Sequence, residues 1–375
     1  MIAVEIAKGK EAIEALASEW DSLVGDSYTT AFSQTAWHLA WLDAFTARDV
    51  TVITARENGR LVGVLPQARI RSDARGMYFS LVTPFAWGDY VPPIVDPQVA
   101  AVALPAMLEA AFRHYRGRGV YFWPNVPAAD PSLDILRSFF AGRGMPVAEQ
   151  RETAARLRID GASFQEIEKR WRSSHRIDVR RQRKRLAEQG PVALWQPSTI
   201  AEAESVLEEF YKVHDEKWLK QGFPGIFQDP AKRLHFHSVL RRMWGRGMHF
   251  STVRCGSTDV SYHFGFFAGG WLQWYRPSYR AEFSGFSPSK IHIALLIEEA
   301  CRSQWKGLDF LLGPEPYKDL WSNESIEVVS LFAGSHRWSP SYFWFTKGKP
   351  YTKAKLARAY MNMKMWLQKH RKPLS

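Results

Sequence analysis

The chain has 375 residues, 46% of them hydrophobic and 23% charged, the composition of an ordinary globular protein long enough for two domains. Cys255 and Cys301 are too few for a disulfide framework and show no zinc-type spacing. No metal is therefore expected. No run of about 18 apolar residues is present, so no transmembrane segment is predicted, and the opening MIAVEIAKGK meets charge too early for a signal peptide, which together predict a cytoplasmic protein. The net charge of +12 is uneven: Val328 to Ser375 holds ten Lys/Arg and no acid, and 169–185 holds nine Lys/Arg against Asp178 alone. Such fields attract anions, whether nucleic acid, anionic lipid or a phosphorylated cofactor, or else serve as a solubilising surface.

In chain order, residues 10–24 and 34–46 have helical periodicity, the second with Trp37, Trp41 and Phe45 on one face. Val50–Arg56 and Leu61–Ile70 flank Asn58-Gly59 and predict a hairpin. A strand over Met77–Val82 leads to a Pro-rich loop around Asp89-Tyr90. A helix near 98–116 and a strand over Val120–Trp123 follow. A basic helix is predicted near 163–189, with Arg176, Arg180 and Lys184 as one stripe. The second half then repeats the order, with strands over His249–Arg254, Val260–Phe267 and Trp271–Tyr275, a helix over about 289–305, and a strand over Leu308–Leu312. The segments AFRHYRGRGVYFWPNVP (111–127) and EACRSQWKGLDFLLGPEP (299–316) each read as helix end, glycine, aromatic strand and Pro-rich stop. This points to a tandem duplication of one mixed α/β unit.

Before the last helix, SGFSPSK (284–290) offers Ser287 as N-cap and Pro288 at the first helical position. The main-chain N–H groups of Ser289, Lys290 and Ile291, with the Lys290 charge, would make an anion site at that helix start. The strand over Leu308–Leu312 stops at Gly313-Pro314-Glu315-Pro316, which holds Glu315, Tyr317 and Lys318 where the strand ends. Asp309, inside the strand, needs a partner if buried and is expected to be structural. His235 and His237 lack a third ligand. The tail over 353–372 reads as a helix packed on the domain or lying on an anionic membrane surface.

The order of strand, loop, SPSK helix and GLDFLLGPEPYK resembles the Gcn5-related N-acetyltransferase (GNAT) superfamily. With FSQTAWHLAWLDAF (32–45), ENGRLVGVLP (57–66) and RRQRKRLAEQG (180–190), it is similar to the tandem-GNAT, CelD-like branch of cellulose-biosynthesis-type acetyltransferases, related to the Fem peptidyltransferases. The resemblance implies an α/β (mixed α+β) fold of two tandem GNAT-like units, each a mixed, mostly antiparallel sheet flanked by helices. The divisions are 1–160 without a donor site, 161–346 with the acyl-donor site, and a basic helical tail at 347–375.

It further implies an N-acyltransferase that uses acyl-CoA, acetyl-CoA being the simplest, as co-substrate. The acceptor would be an amine of a small molecule, a sugar or a polysaccharide precursor. Gly285, Phe286, Ser287, Ser289, Lys290 and Tyr275 would hold the donor; Ser289 departs from the family's usual glycine. Glu315 would be the base, with His214 as an alternative, Tyr317 the acid, and Lys318 an oxyanion or phosphate partner. The alternatives are a Fem-like transferase using aminoacyl-tRNA, supported by the basic surplus, and a non-catalytic anion-binding module with membrane contact through the tail.

Overall fold

The computed structural model describes residues 1–334 apart from 46–47, 75–76, 118, 221 and 223. The basic tail over 353–372 lies outside the described residues. The first half comprises β1 (Ile2–Lys8), α1 (Gly9–Val24), α2 (Thr30–Ser33), α3 (Thr35–Ala44), β2 (Arg48–Glu57), β3 (Arg60–Ala74), β4 (Met77–Pro84), β5 (Ile94–Val95), α4 (Ala100–His114), β6 (Val120–Pro127), α5 (Ser132–Ala141) and β7 (Val147–Arg158). The second comprises α6 (Phe164–Arg170), α7 (Ser173–Ala187), β8 (Val192–Trp195), α8 (Ile200–Lys220), α9 (Pro230–Met243), β9 (Met248–Cys255), β10 (Thr258–Ala268), β11 (Trp271–Tyr279), α10 (Pro288–Arg302), β12 (Gly307–Leu312) and β13 (Glu324–Gly334).

Local chemistry accounts for many of the boundaries. Asn58 and Gly59 both take positive φ, 50° and 84°, the two-residue turn that matches strand twist and joins β2 to β3. Ser163 and Glu166 exchange hydrogen bonds as a capping box that starts α6. The Asp229 carboxylate accepts from the Ala231 N–H at 2.9 Å with Pro230 at the first position of α9. The single basic helix predicted near 163–189 is two helices. The chain is extended at Trp171, which turns into the core and meets Trp321 edge-to-face at 4.9 Å, so burial of the indole interrupts the helix. The predicted stripe is likewise broken by a partner, because the Arg180 guanidinium is held by Glu168.

One sheet carries both halves, in the order β1-β2-β3-β4-β6-β13-β7-β12-β11-β10-β9-β8. Reading inward from either edge gives the same sequence of antiparallel strands followed by one parallel pair, β4 with β6 or β11 with β12. The duplication is therefore physical. The centre is exchanged: β13 pairs with β6 and β7 of the first half, while β7 pairs with β12 of the second. Each half lends its last strand to the other, so neither sheet closes alone. An aromatic core crosses the same join, with Phe32 and Trp37 of the first half against Phe266 of β10 at 5.6 and 5.9 Å.

Several histidines are buried in this core. His38, His235 and His249 are pushed down to about 4, and His292 to about 3, by burial. His292 sits between Ser251 and Ser261, each hydroxyl 3.0 Å from a ring nitrogen. The folded state refuses protons that the unfolded chain, near 6.5, accepts, so stability is held above about pH 6.5 and lost as pH falls toward 4. Each such histidine contributes a limiting slope of about 1.4 kcal/mol per pH unit within that window. Thermal unfolding followed from pH 7.5 to 5 is expected to show the midpoint falling steadily, and a His292→Gln chain to show a shallower fall by about one proton.

Candidate active site

The site is a wedge between two strands. β11 and β12 pair in parallel from Trp271–Gly307 to Gln273–Asp309 and then separate, although β11 runs on to Tyr279 and β12 to Leu312. On its other edge β12 stays with β7 but slips register between Asp309 and Leu312, and Leu311 takes φ 57°. A positive φ at a bulky, buried residue costs of order 1–3 kcal/mol and persists only where the surroundings impose it.

What imposes it is a set of side chains that take over the backbone hydrogen bonds. Asp309 Oδ1 accepts the Leu311 N–H at 2.9 Å, and Asp89 Oδ1 accepts the Leu312 N–H at 3.3 Å. Lys318 Nζ donates to the carbonyls of Leu311, Leu312 and Gly313 at 3.2, 2.8 and 3.4 Å and lies 2.9 Å from Glu315 Oε2. Buried main-chain groups must be paired somewhere; here they no longer need β11. Gly313 completes the turn at φ 127°, where an added Cβ would stand 2.3 Å from the Glu315 carboxylate.

Asp309 is itself anchored from both halves. Arg156 of β7 reaches its Oδ2 through Nε at 3.0 Å and Nη2 at 2.7 Å, and the Tyr90 hydroxyl lies 3.0 and 2.8 Å from its two oxygens. Arg156 also lies over the rings of Tyr28 and Trp271 at 4.2 and 4.5 Å. Burial pushes the Asp309 carboxyl up against the pull of Arg156. The expected structural role of Asp309 is the one its contacts describe.

Two cavities follow the wedge and share Lys217, Trp274, Pro277 and Tyr317. The larger, about 420 Å³, lies at the ends of the strands and brings together Asp89, His214, Tyr275, Glu315, Tyr317 and Lys318. The smaller, about 320 Å³, runs toward the start of α10 and is lined by Ser284, Ser287, Ser289 and Lys290. The Trp274 indole donates to the Tyr317 hydroxyl at 3.2 Å where the two meet. Burial pushes the Tyr317 phenol up to about 12, so it stays protonated across the physiological range.

Several predicted roles change with these positions. Lys318 is 4% exposed and its ammonium is committed to three carbonyls and Glu315, which makes it the pin of the strand end. His214 is buried, its Nε2 accepts from the Trp218 indole at 3.1 Å, and burial pushes it down to about 4, leaving a weak base. Tyr275 borders the larger cavity and not the smaller. Ser287 does not cap α10 with its side chain: it takes the left-handed conformation, φ 51°, and its carbonyl accepts the N–H groups of Lys290 and Ile291 at 2.9 and 3.3 Å. Of the three predicted anion-binding amides, that leaves Ser289. The Lys290 ammonium is paired with Asp178 of α7. Gly285 and Phe286 line neither of the two cavities; Arg185 donates to the Gly285 carbonyl and lies over the Phe286 ring.

Asp89 is the group the sequence did not single out for chemistry. It comes from the first half, in the loop after β4, and faces the cavity of the second. Burial pushes its carboxyl up to about 6, against the opposing charges of Arg276 and Lys318. Asp89 and Tyr317 line the same larger cavity, and a carboxyl group and a protonated phenol are side chains able to act as base and acid. Only the motif GDYVPP (88–93), an acid in a rigid loop, hinted at it.

If Lys318 pins the strand end, Lys318→Met strands buried carbonyls and is expected to destabilise the fold by about 2–4 kcal/mol. Chemical denaturation checks this, and Glu315→Gln, a more exposed partner, is expected to cost less than about 1 kcal/mol.

Residues 173–319 match the family described as "Acetyltransferase (GNAT) domain". The fold as a whole is similar to FemX, with a TM-score of 0.59 at 13% identity over 87% of this chain and 96% of that one. It is also similar to the C-terminal domain of a candidate lysylphosphatidylglycerol synthetase from Agrobacterium fabrum (TM-score 0.55, 9% identity, 90% and 96% covered) and to L-PGS from Bacillus licheniformis (0.52, 13%, 90% and 95%). At such identities the likeness concerns the fold. No curated protein matches the sequence. The GNAT match thus lies on the half that holds the wedge, and the fold of the chain as a whole is similar to that of FemX.

Proposed function

We propose that the protein is an N-acyltransferase that moves an acyl group from acyl-CoA to an amine at the meeting point of the two cavities. The observation that carries this is the open wedge: β11 and β12 part after Gln273–Asp309, and two cavities follow them, one reaching the start of α10 and one reaching Asp89, both lined by Tyr317. An extended pantetheine arm fits between separated strands because its amides can use main-chain groups there. The thioester carbonyl then lies beside Tyr317.

The acceptor amine enters from the larger cavity. Asp89 removes its proton as nitrogen attacks the thioester carbon, the C–S bond breaks, and Tyr317 donates its proton to the leaving sulfur. Trp218, Tyr275 and His214 give that cavity an aromatic wall suited to the apolar face of a sugar ring. The acceptor class is accordingly an amino sugar or a related small amine, including a polysaccharide precursor. Among the described residues no helix is long and apolar enough to cross a membrane.

A second reading, with aminoacyl-tRNA as donor, is favoured by one observation. The start of α10 keeps the Ser289 amide of the three predicted for an anion, and its lysine is paired with Asp178, which is a lean cradle for a pyrophosphate. The likeness to FemX and to a lysylphosphatidylglycerol synthetase agrees with aminoacyl transfer.

The test is steady-state acyl transfer from acetyl-CoA to a panel of amino sugars. Asp89→Asn is expected to lower kcat by about 10²–10⁴, the range for a lost general base. In the parent chain kcat/KM should rise with pH through about 6 and then level, since Asp89 works deprotonated. A rise centred near 4 would instead assign the base to His214. Tyr317→Phe is expected to act on kcat more than on KM. Transfer from aminoacyl-tRNA with none from acyl-CoA would replace the donor.

A further inference from the structure

A third cavity, of about 160 Å³, opens between the α6–α7 corner and the turn after β12. It shares Leu320 and Trp321 with the smaller wedge cavity, so the two cavities adjoin at that turn. Its wall includes Trp171 and His175, each 6% exposed, both edge-on to the Trp321 ring at 4.9 and 4.5 Å. Trp171 Nε1 and His175 Nε2 are buried and bond to nothing among the described residues. A buried polar group left unpaired costs about 1–3 kcal/mol, and two in one cavity wall ask for an occupant.

The surrounding groups say which kind. An indole N–H can only donate, and a neutral imidazole donates from Nε2 in one tautomer. Arg170 and Arg172 line the same cavity, and neither is ion-paired among the described residues. The cavity borders the start of α7, a 15-residue helix whose N-cap, Arg172, supplies no side-chain cap, so the positive end of the helix is uncovered. On the opposite side the Asn323 amide is spent on the main chain of Arg158, at 2.8 and 2.9 Å, and Asp319 is an exposed carboxylate on the rim. Donors and cations dominate. The volume suits a phosphate with part of its ester, given about 30 Å³ for each displaced water.

We infer that this cavity is a phosphate subsite, in which Trp171 Nε1 and His175 Nε2 donate to the phosphate oxygens and Arg170 and Arg172 balance their charge. As the subsite for the distal phosphate of the donor, it rests on the reading of the wedge as the donor channel. The phosphate belongs either to the nucleotide end of coenzyme A or to the backbone of a tRNA. Its place beside the lean cradle at α10 gives the donor a second electrostatic hold some residues away.

Isothermal titration of the full chain tests it, with inorganic pyrophosphate, coenzyme A, 3′-dephospho-coenzyme A and deacylated tRNA as probes. Pyrophosphate is expected to bind the parent chain, and R170Q/R172Q, both on the exposed rim, to weaken it at least tenfold with an unchanged unfolding midpoint. His175→Phe should weaken it too while leaving both arginines in place, which separates a built site from general charge. A matching loss for coenzyme A identifies that source, and a matching loss for tRNA identifies the other. Pyrophosphate binding that is absent, or equal in parent and R170Q/R172Q, overturns the subsite. If acyl transfer from acyl-CoA persists in that case, the donor reading stands without it; if pyrophosphate binding follows the variants while acyl-CoA supports no transfer, the subsite stands and the donor reading falls.

Discussion

The separation of β11 from β12 depends on side chains replacing a strand. Beyond Asp309, main-chain groups that a parallel ladder would have paired are bonded to the Asp309 and Asp89 carboxylates and the Lys318 ammonium. Without those partners the strand end would gain by closing onto β11, because an open edge buried in protein leaves polar groups unpaired. The bulge at Leu311 is the geometric record of that exchange. A wedge built this way is open by construction and needs no ligand to hold it.

The same groups tie the cavity to the duplication. Asp309 is held by Arg156 on a strand lent by the first half, and by Tyr90 in a loop of the first half, one residue from Asp89. The first half therefore serves the second twice, by anchoring the carboxylate that shapes the wedge and by supplying the acid group that faces it. Its own parallel pair, β4 with β6, carries a matching bulge with Asn125 at φ 52°. There the loop after β4 folds across, with the Val91 N–H on the Asn125 carbonyl and the Asn125 amide on Gly88. One unit has filled its wedge with chain, and the loop that fills it delivers Asp89 to the other.

How much of this the sequence disclosed follows the range of the forces involved. The Asn58-Gly59 hairpin, the start of α10 at Pro288 and the stop of β12 at Gly313 were legible because each is set by one or two residues with restricted backbones. The tandem plan was legible because the two strand-and-stop segments repeat. The strand exchange was not: β7, VAEQRETAARLR, is too polar to announce a central strand and is central only because β12 and β13 flank it. Leu311 gives no sign of a positive φ, unlike Asn125. Lys318 and His214 look like surface chemistry in sequence, yet burial turns one into a structural pin and lowers the basicity of the other. Asp89 was hidden by its distance from the segment it serves.

The most direct measurement is a crystal structure of the chain with S-ethyl-coenzyme A, whose thioether cannot be transferred. The pantetheine arm is expected between β11 and β12, with the sulfur within hydrogen-bonding reach of the Tyr317 hydroxyl and Asp89 facing it across the larger cavity. A continuous ladder from β11 to β12, or the thioether bound outside the wedge, would contradict this.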